Sequence, residues 1–245
     1  MSGPENAKPI ALDAFETLAE RYAALVDDKP HNAHYERPAT LSLLPDVAGL
    51  HALDAGCGPG VYAEWLLQHG ARVTAIDASP KMVALARQRL SAFGDAVVVR
   101  RADLNQPLDF LESASFDLVI APLVLDYIEH WTPLFAEFGR VLRRTGLLIF
   151  SLGHPCADFK YSPTGDYFAV EVVEATWRGF GGDPVVVPFY RRPLSAIFAP
   201  LWETGFVAEQ VVEPRPTEAF RQKDPKDYMK LSRQPGFICI RARKR

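Results

Sequence analysis

The chain has 245 residues, 48% of them hydrophobic, and a formal net charge of −3. That suits one α/β domain with a full core and a small insertion, and the mild acidity excludes a global basic field that would draw in nucleic acid. Cys57, Cys156 and Cys239 are far apart, with no Cys-x-x-Cys pair, so the sequence points to neither a metal site nor a disulfide framework.

Met1–Asn6 lacks a basic region followed by an apolar one, so no signal peptide is expected. The longest apolar run, Leu118–Leu125, is too short to span a bilayer, and the expectation is a cytoplasmic protein away from membranes. Residues 13–27 read as a helix, with Phe15, Leu18, Ala19, Tyr22 and Leu25 on one face, and a shorter helix is predicted over 35–44. An apolar run at 50–55 then leads into Gly56-Cys57-Gly58-Pro59-Gly60, a helix at 60–69, a strand at 72–77 and Asp77 at its end. Strand, glycine turn, helix, strand and acid describe a pocket for a nucleoside-containing cofactor at the carboxyl edge of a parallel sheet. Glycine suits the turn because a Cβ there would obstruct both the bend and the approach of a ligand. A dinucleotide fingerprint would place its third glycine at position 61, which is Val61, and this disfavours a nicotinamide enzyme.

Further on, the spacing predicts a helix at 79–93 capped by Ser79 with Pro80 in its first turn, strands at 96–101, 116–121 and 146–152, and a helix at 131–143. Residues 153–192 break the rhythm with prolines, glycines and many aromatics. Possible strands of a small cap lie at 167–175 and 185–190. A helix at 193–204 and two final strands, 206–213 and 236–242, complete the chain. The terminal Arg241–Arg245 cluster reads as a solvated tail.

Leu53–Gly60 closely resembles the first cofactor motif of the class I S-adenosylmethionine-dependent methyltransferases. The resemblance continues in order through Asp77–Met82, Arg101–Leu104, Phe116–Ala121 and Val141–Ser151. It covers roughly residues 45–152 well, and Thr145-Gly146 departs from the paired glycines often found in relatives. The resemblance implies a doubly wound, mainly parallel seven-stranded sheet with an antiparallel last strand (Rossmann-like). The single domain 1–245 then divides into a helical cap (1–45), a cofactor-binding core (46–152), an insertion lining the acceptor site (153–192) and a C-terminal helix with strands (193–245). The implied cofactor is S-adenosylmethionine.

Each part of that cofactor asks for a partner. The backbone of Gly56 and Gly58 with the following helix N-terminus suits the carboxylate. Asp54 supports either the amine or the turn. Asp77 suits the ribose, and Asp103 with the Leu104 N–H suits the adenine, although Asp103 also reads as a turn cap with Asn105. Ala78 and Met82 flank the adenine, unless Met82 is ordinary core. By resemblance, Ala121 lies near the reactive end of the cofactor. Tyr22 closes the pocket or simply packs. Tyr35, Tyr127 and Tyr190 are the candidate substrate contacts, each with packing as its alternative. His154, in a His-Pro pair just past the fifth strand, is the candidate general base or else a loop anchor. The pair, the aromatic insertion and Arg192-Pro193-Leu194 resemble a small-molecule methyltransferase subgroup. The expected acceptor is a small planar or apolar molecule methylated at O or N, with a tRNA or protein acceptor, or cofactor binding without turnover, as alternatives. The protein is expected to be a monomer or homodimer.

Overall fold

The structure, a computed structural model, describes residues 8–245, so Met1–Asn6 lies outside the described residues. In chain order the elements are α1 (Leu12–Leu25), a π-helical turn (Asn32–Glu36), α2 (Arg37–Ser42), β1 (His51–Ala55), α3 (Val61–Gln68), β2 (Arg72–Asp77), α4 (Pro80–Arg89), β3 (Val97–Arg101), β4 (Phe116–Pro122), α5 (Trp131–Val141) and β5 (Leu142–Gly153). There follow α6 (Pro155–Asp158), β6 (Glu171–Trp177), β7 (Val185–Arg191), α7 (Leu194–Glu203), β8 (Phe206–Val212), α8 (Glu218–Lys223), α9 (Pro225–Leu231) and β9 (Phe237–Lys244).

The main sheet has the order β3-β2-β1-β4-β5-β9-β8. β1 to β5 run parallel, and β9 lies antiparallel between β5 and β8. Alternate residues of the central strands feed two separate cores. Leu53, Val119, Leu148 and Phe150 pack under α5 and α7 on one face. Ala52, Leu118, Ile120 and Ile149 pack under α3 and α4 on the other. Such strands are largely apolar along their length because both faces are covered. The chain order reverses between β1 and β4, and their carboxyl ends open the crevice where ligands of such sheets sit.

Ser79 caps α4 as expected, its Oγ accepting the Met82 N–H at 3.0 Å, with Pro80 next. The β6–β7 hairpin is a separate two-stranded sheet, and α1 packs on α4 and on β7. Two boundaries and two short helices differ from expectation. β5 begins at Leu142, which pairs with Phe116 across a bulge. Thr145 takes φ 65° there, so a segment read as helix tail is an irregular strand start. The predicted helix 79–93 ends at Arg89 and passes into a 3₁₀ stretch. α8 and α9 were not predicted at all; they are short and polar, and α9 has no fully buried residue to mark a face. Among the described residues, no helix is long and apolar enough to cross a membrane.

Candidate active site

The turn after β1 is closed by its own amides. Gly56 and Cys57 N–H donate to Ile76 O (2.8 and 2.9 Å), and Gly60 N–H donates to Cys57 O (2.9 Å). Gly58 N–H donates to Asp77 Oδ2 (2.9 Å). Two glycines carry different constraints. Gly56 (φ 77°) lies against β4's exit, where a Cβ would overlap the Val124 side chain. At Gly58 (φ 52°) a Cβ would meet open cavity. The expectation that this turn offers free N–H groups to an anion therefore needs correction. The donors left are the first-turn amides of α3 and Arg37, whose Nε is buried without a partner and whose guanidinium lies 6.0 Å from the Tyr62 ring centre.

Asp77 also accepts the Ser79 N–H at 2.8 Å. Burial raises its pKa, and the Ser79 and Gly58 amides pull it back. Asp54, on β1, is 1% exposed and neither of its oxygens has a hydrogen-bond partner. Burial pushes it up to about 7; the Ala63 N–H, outside hydrogen-bond geometry, lowers it and the Asp77 charge raises it. An orphaned buried carboxylate facing a cavity fits an ammonium brought in by a ligand. Asp103 binds Asn105 through Oδ1 alone (2.9 Å to both the backbone and side-chain nitrogens), which realises the turn cap without engaging Oδ2. Ala78, Met82 and Leu104 line the same space.

One cavity of about 1070 Å³ runs from these groups to the hairpin. α1 forms its roof. Its Glu16 side chain holds Ser79 Oγ and the Lys81 N–H, and Phe15 meets Tyr127 and Trp177 edge to face at 5.1 and 5.9 Å. Tyr22 stacks on Phe180 at 5.3 Å, and burial pushes its hydroxyl up to about 12. Lys29 Nζ donates to Gly179 O (3.0 Å) and sits over the Phe180 ring, tying the hairpin tip to the roof. Two acids stand at this end. Asp126 Oδ2 accepts the Gly153 N–H at 3.1 Å. The Asp158 carboxyl occupies the place where a Cβ on Gly153 would sit.

Three predicted contacts are not brought into the cavity. His154 is 6% exposed and holds the β5–α6 loop, with Nε2 2.8 Å from Glu213 Oε1 and Nδ1 accepting the Cys156 N–H at 3.2 Å. The loop-anchor alternative is the one observed, because both ring nitrogens are committed to the protein. Tyr190 points away, and its hydroxyl donates to Glu129 at 3.3 Å. It lies on the opposite hairpin face from Phe189, which lines the cavity, since neighbours on a strand alternate. Ala121 is wholly buried inside β4, and Pro122 lines the cavity instead. Tyr35 reaches the wall, but its hydroxyl accepts the Gly236 N–H at 2.7 Å and serves as a strut. Arg37, Asp158 and the wall residue Phe15 were missed by sequence reasoning. Only the helical spacing of Phe15 carried any signal. Leu123 takes φ 53° at the β4 exit with nothing in the sequence to mark it.

Fold and site together define an α/β protein with a nucleoside-cofactor crevice. Residues 53–150 match the family described as a methyltransferase domain. The chain is 30% identical to an S-adenosylmethionine-dependent methyltransferase of Mesorhizobium loti, whose crystal structure superposes with a TM-score of 0.67 over 85% of this chain and 97% of that one. A second such structure, from Listeria monocytogenes and described as a putative methyltransferase of this kind, gives 25% identity and a TM-score of 0.71 over 86% and 96% of the two chains. Identity to the ubiquinone biosynthesis O-methyltransferase of Methylocella silvestris is 30% over 148 residues, which span 60% of this chain and 54% of that protein. The chain belongs to the class I S-adenosylmethionine-dependent methyltransferases, and S-adenosylmethionine is its cofactor.

Proposed function

We propose that the enzyme methylates a nitrogen or oxygen atom of a small, planar or apolar molecule held between the β4 exit and the β6–β7 hairpin. The observation that carries this reading is the single cavity of about 1070 Å³. Pockets for a single small ligand measure roughly 300–1,000 Å³, so a cavity at the top of that range has room for cofactor and acceptor together. In this reading Asp77 binds the ribose, Asp103 Oδ2 and the Leu104 N–H bind the adenine, Asp54 binds the amine, and Arg37 with the α3 amides binds the carboxylate.

When bound, S-adenosylmethionine supplies a methyl group activated on a sulfonium for in-line displacement. The chain's own residues then align the acceptor and keep water out. Such positioning is worth roughly 7–11 kcal/mol in well-oriented reactions. Phe15, Tyr127 and Trp177 give a wall that buries a flat acceptor with few polar demands.

The test is a metabolite screen with isotopically labelled methyl donor, read by mass, beside calorimetry with S-adenosylhomocysteine. Label entering a small molecule is the expected result. Calorimetric binding with label entering only RNA or protein would overturn the small-molecule reading.

A further inference from the structure

We propose that the acceptor is a cationic amine attached to an apolar or aromatic body, recognised by Asp126 and Asp158, and that this carboxylate pair takes the ammonium proton before methyl transfer. The proposal rests on the reading of the cavity as the acceptor site and deepens it.

The pair faces the same side of Gly153. Asp126 accepts that residue's N–H, and Asp158 lies over its Cα, in the space that only a glycine leaves open. Asp158 lines the cavity, and among the described residues no group donates a hydrogen bond to its side chain. Burial, with Asp126 beside it, pushes Asp158 up to about 7, and burial pushes Asp126 up to about 6. The charge on Asp126 makes Asp158 harder to ionise.

Among the described residues no cation forms an ion pair with either acid, although the charges of Arg192, whose Nε is buried without a partner, and of Lys160, which lines the cavity, act on Asp126 and Asp158 from a distance. Arg191 is bound to Glu171 and to the carbonyls of Asp166 and Ala169, and Arg192 is bound to Ile128 O and lies over Trp131. Lys160 sits over the Tyr161 ring at 4.6 Å. An ammonium is the ligand group that completes the set, because the acids pair with it and the faces of aromatic rings such as Tyr127 attract it. An anionic acceptor, a phenolate or a carboxylate, would meet repulsion at the same place. In the proton step an N–H bond of the ammonium breaks, its electron pair stays on nitrogen as the attacking lone pair, and an O–H bond forms on the carboxylate.

The test uses three probes of one shape on the intact protein: 2-phenylethylamine, 2-phenylethanol and 3-phenylpropionate. Calorimetry with S-adenosylhomocysteine comes first; absence of binding there refutes the cofactor geometry and is separate from this proposal. On the protein saturated with S-adenosylhomocysteine, the amine is expected to bind at least about tenfold more tightly than the alcohol or the acid. Asp158→Asn and Asp126→Asn should each erase most of that preference and leave S-adenosylhomocysteine affinity nearly unchanged. Gly153→Ala, which displaces the Asp158 carboxyl, should do the same. Equal or tighter binding of the alcohol or the acid, or no binding of any probe at millimolar concentration, overturns the proposal. So does a preference that survives both Asn variants.

Discussion

The two ends of the cavity hold their ligands with different materials. At the β1, β2 and β3 exits the wall is backbone and short acids, fixed from the protein's side: Asp77 carries two amides, and Gly58 leaves a gap no other residue would leave. At the other end the wall is side chains from α1 and the hairpin, held by edge-to-face rings and by Lys29 on Gly179 O. A backbone wall is rigid and intolerant of change, and it recognises a constant ligand. A side-chain wall tolerates substitution and sets which acceptor fits. Loops mounted on a rigid scaffold commonly divide the labour this way.

The largest expected effects lie at the turn. Asp77→Ala should weaken S-adenosylhomocysteine binding about a hundredfold or more by calorimetry, because it removes a ligand partner and frees two buried amides. Gly58→Val should weaken binding nearly as much, because its side chain fills open cavity, and should lower the melting temperature by several degrees without preventing folding, because φ 52° strains a β-branched residue. Gly56→Val should instead prevent stable folding, because the new side chain collides with Val124. Equal behaviour of the two glycine variants would show that the turn does not divide its glycines between packing and ligand approach.

Asp54 makes the backbone end of the cavity sensitive to pH. Its carboxyl ionises near 3.8 when exposed and near 7 in the fold, so the folded chain holds a proton that the unfolded chain lacks between those values. Stability of the free protein must then fall as pH rises through that window. Asp54→Asn should melt higher than the parent at pH 8, by roughly 2–4 °C per kcal/mol recovered, with no difference near pH 4. The same variant should bind S-adenosylhomocysteine more weakly. A variant that melts lower at pH 8 would show that the acid braces the turn rather than awaiting an ammonium. At the side-chain wall, Trp177→Ala should raise the acceptor KM several-fold and leave S-adenosylhomocysteine affinity unchanged.

The same division explains what the sequence disclosed. Glycines with positive φ, an acid at a strand end and doubly apolar strands are local requirements, and each leaves a local mark. The Gly56–Asp77 span and both cores were legible for that reason. Arg37 and Asp158 become site residues only through tertiary placement. Arg37 follows a π-helical turn, and Asp158 ends a four-residue helix. His154 carried a mark, a His-Pro pair on the right edge of the sheet, but the mark belonged to an N-cap: its ring accepts the Cys156 amide. Tyr190 was misread for want of register, since one residue's shift along β7 turns a side chain from cavity to solvent.

The smallest effect belongs to His154, and it tests where the acceptor end begins. The ring is buried, one nitrogen on Glu213 and the other capping α6, the helix that ends in Asp158. A hydrogen bond of this kind is worth about 1 kcal/mol net. His154→Ala should therefore lower the melting temperature by a few degrees and change kcat by less than about twofold. Any loss of activity should fall in KM, because the only route from His154 to the acceptor runs through the position of α6. His154→Asn, which retains a side-chain acceptor for the cap, should recover part of the lost stability. A kcat loss above about tenfold, with stability and KM intact, would mean that the ring leaves Glu213 and acts on the reacting atoms. The boundary between the two walls would then lie at β5 rather than at the hairpin.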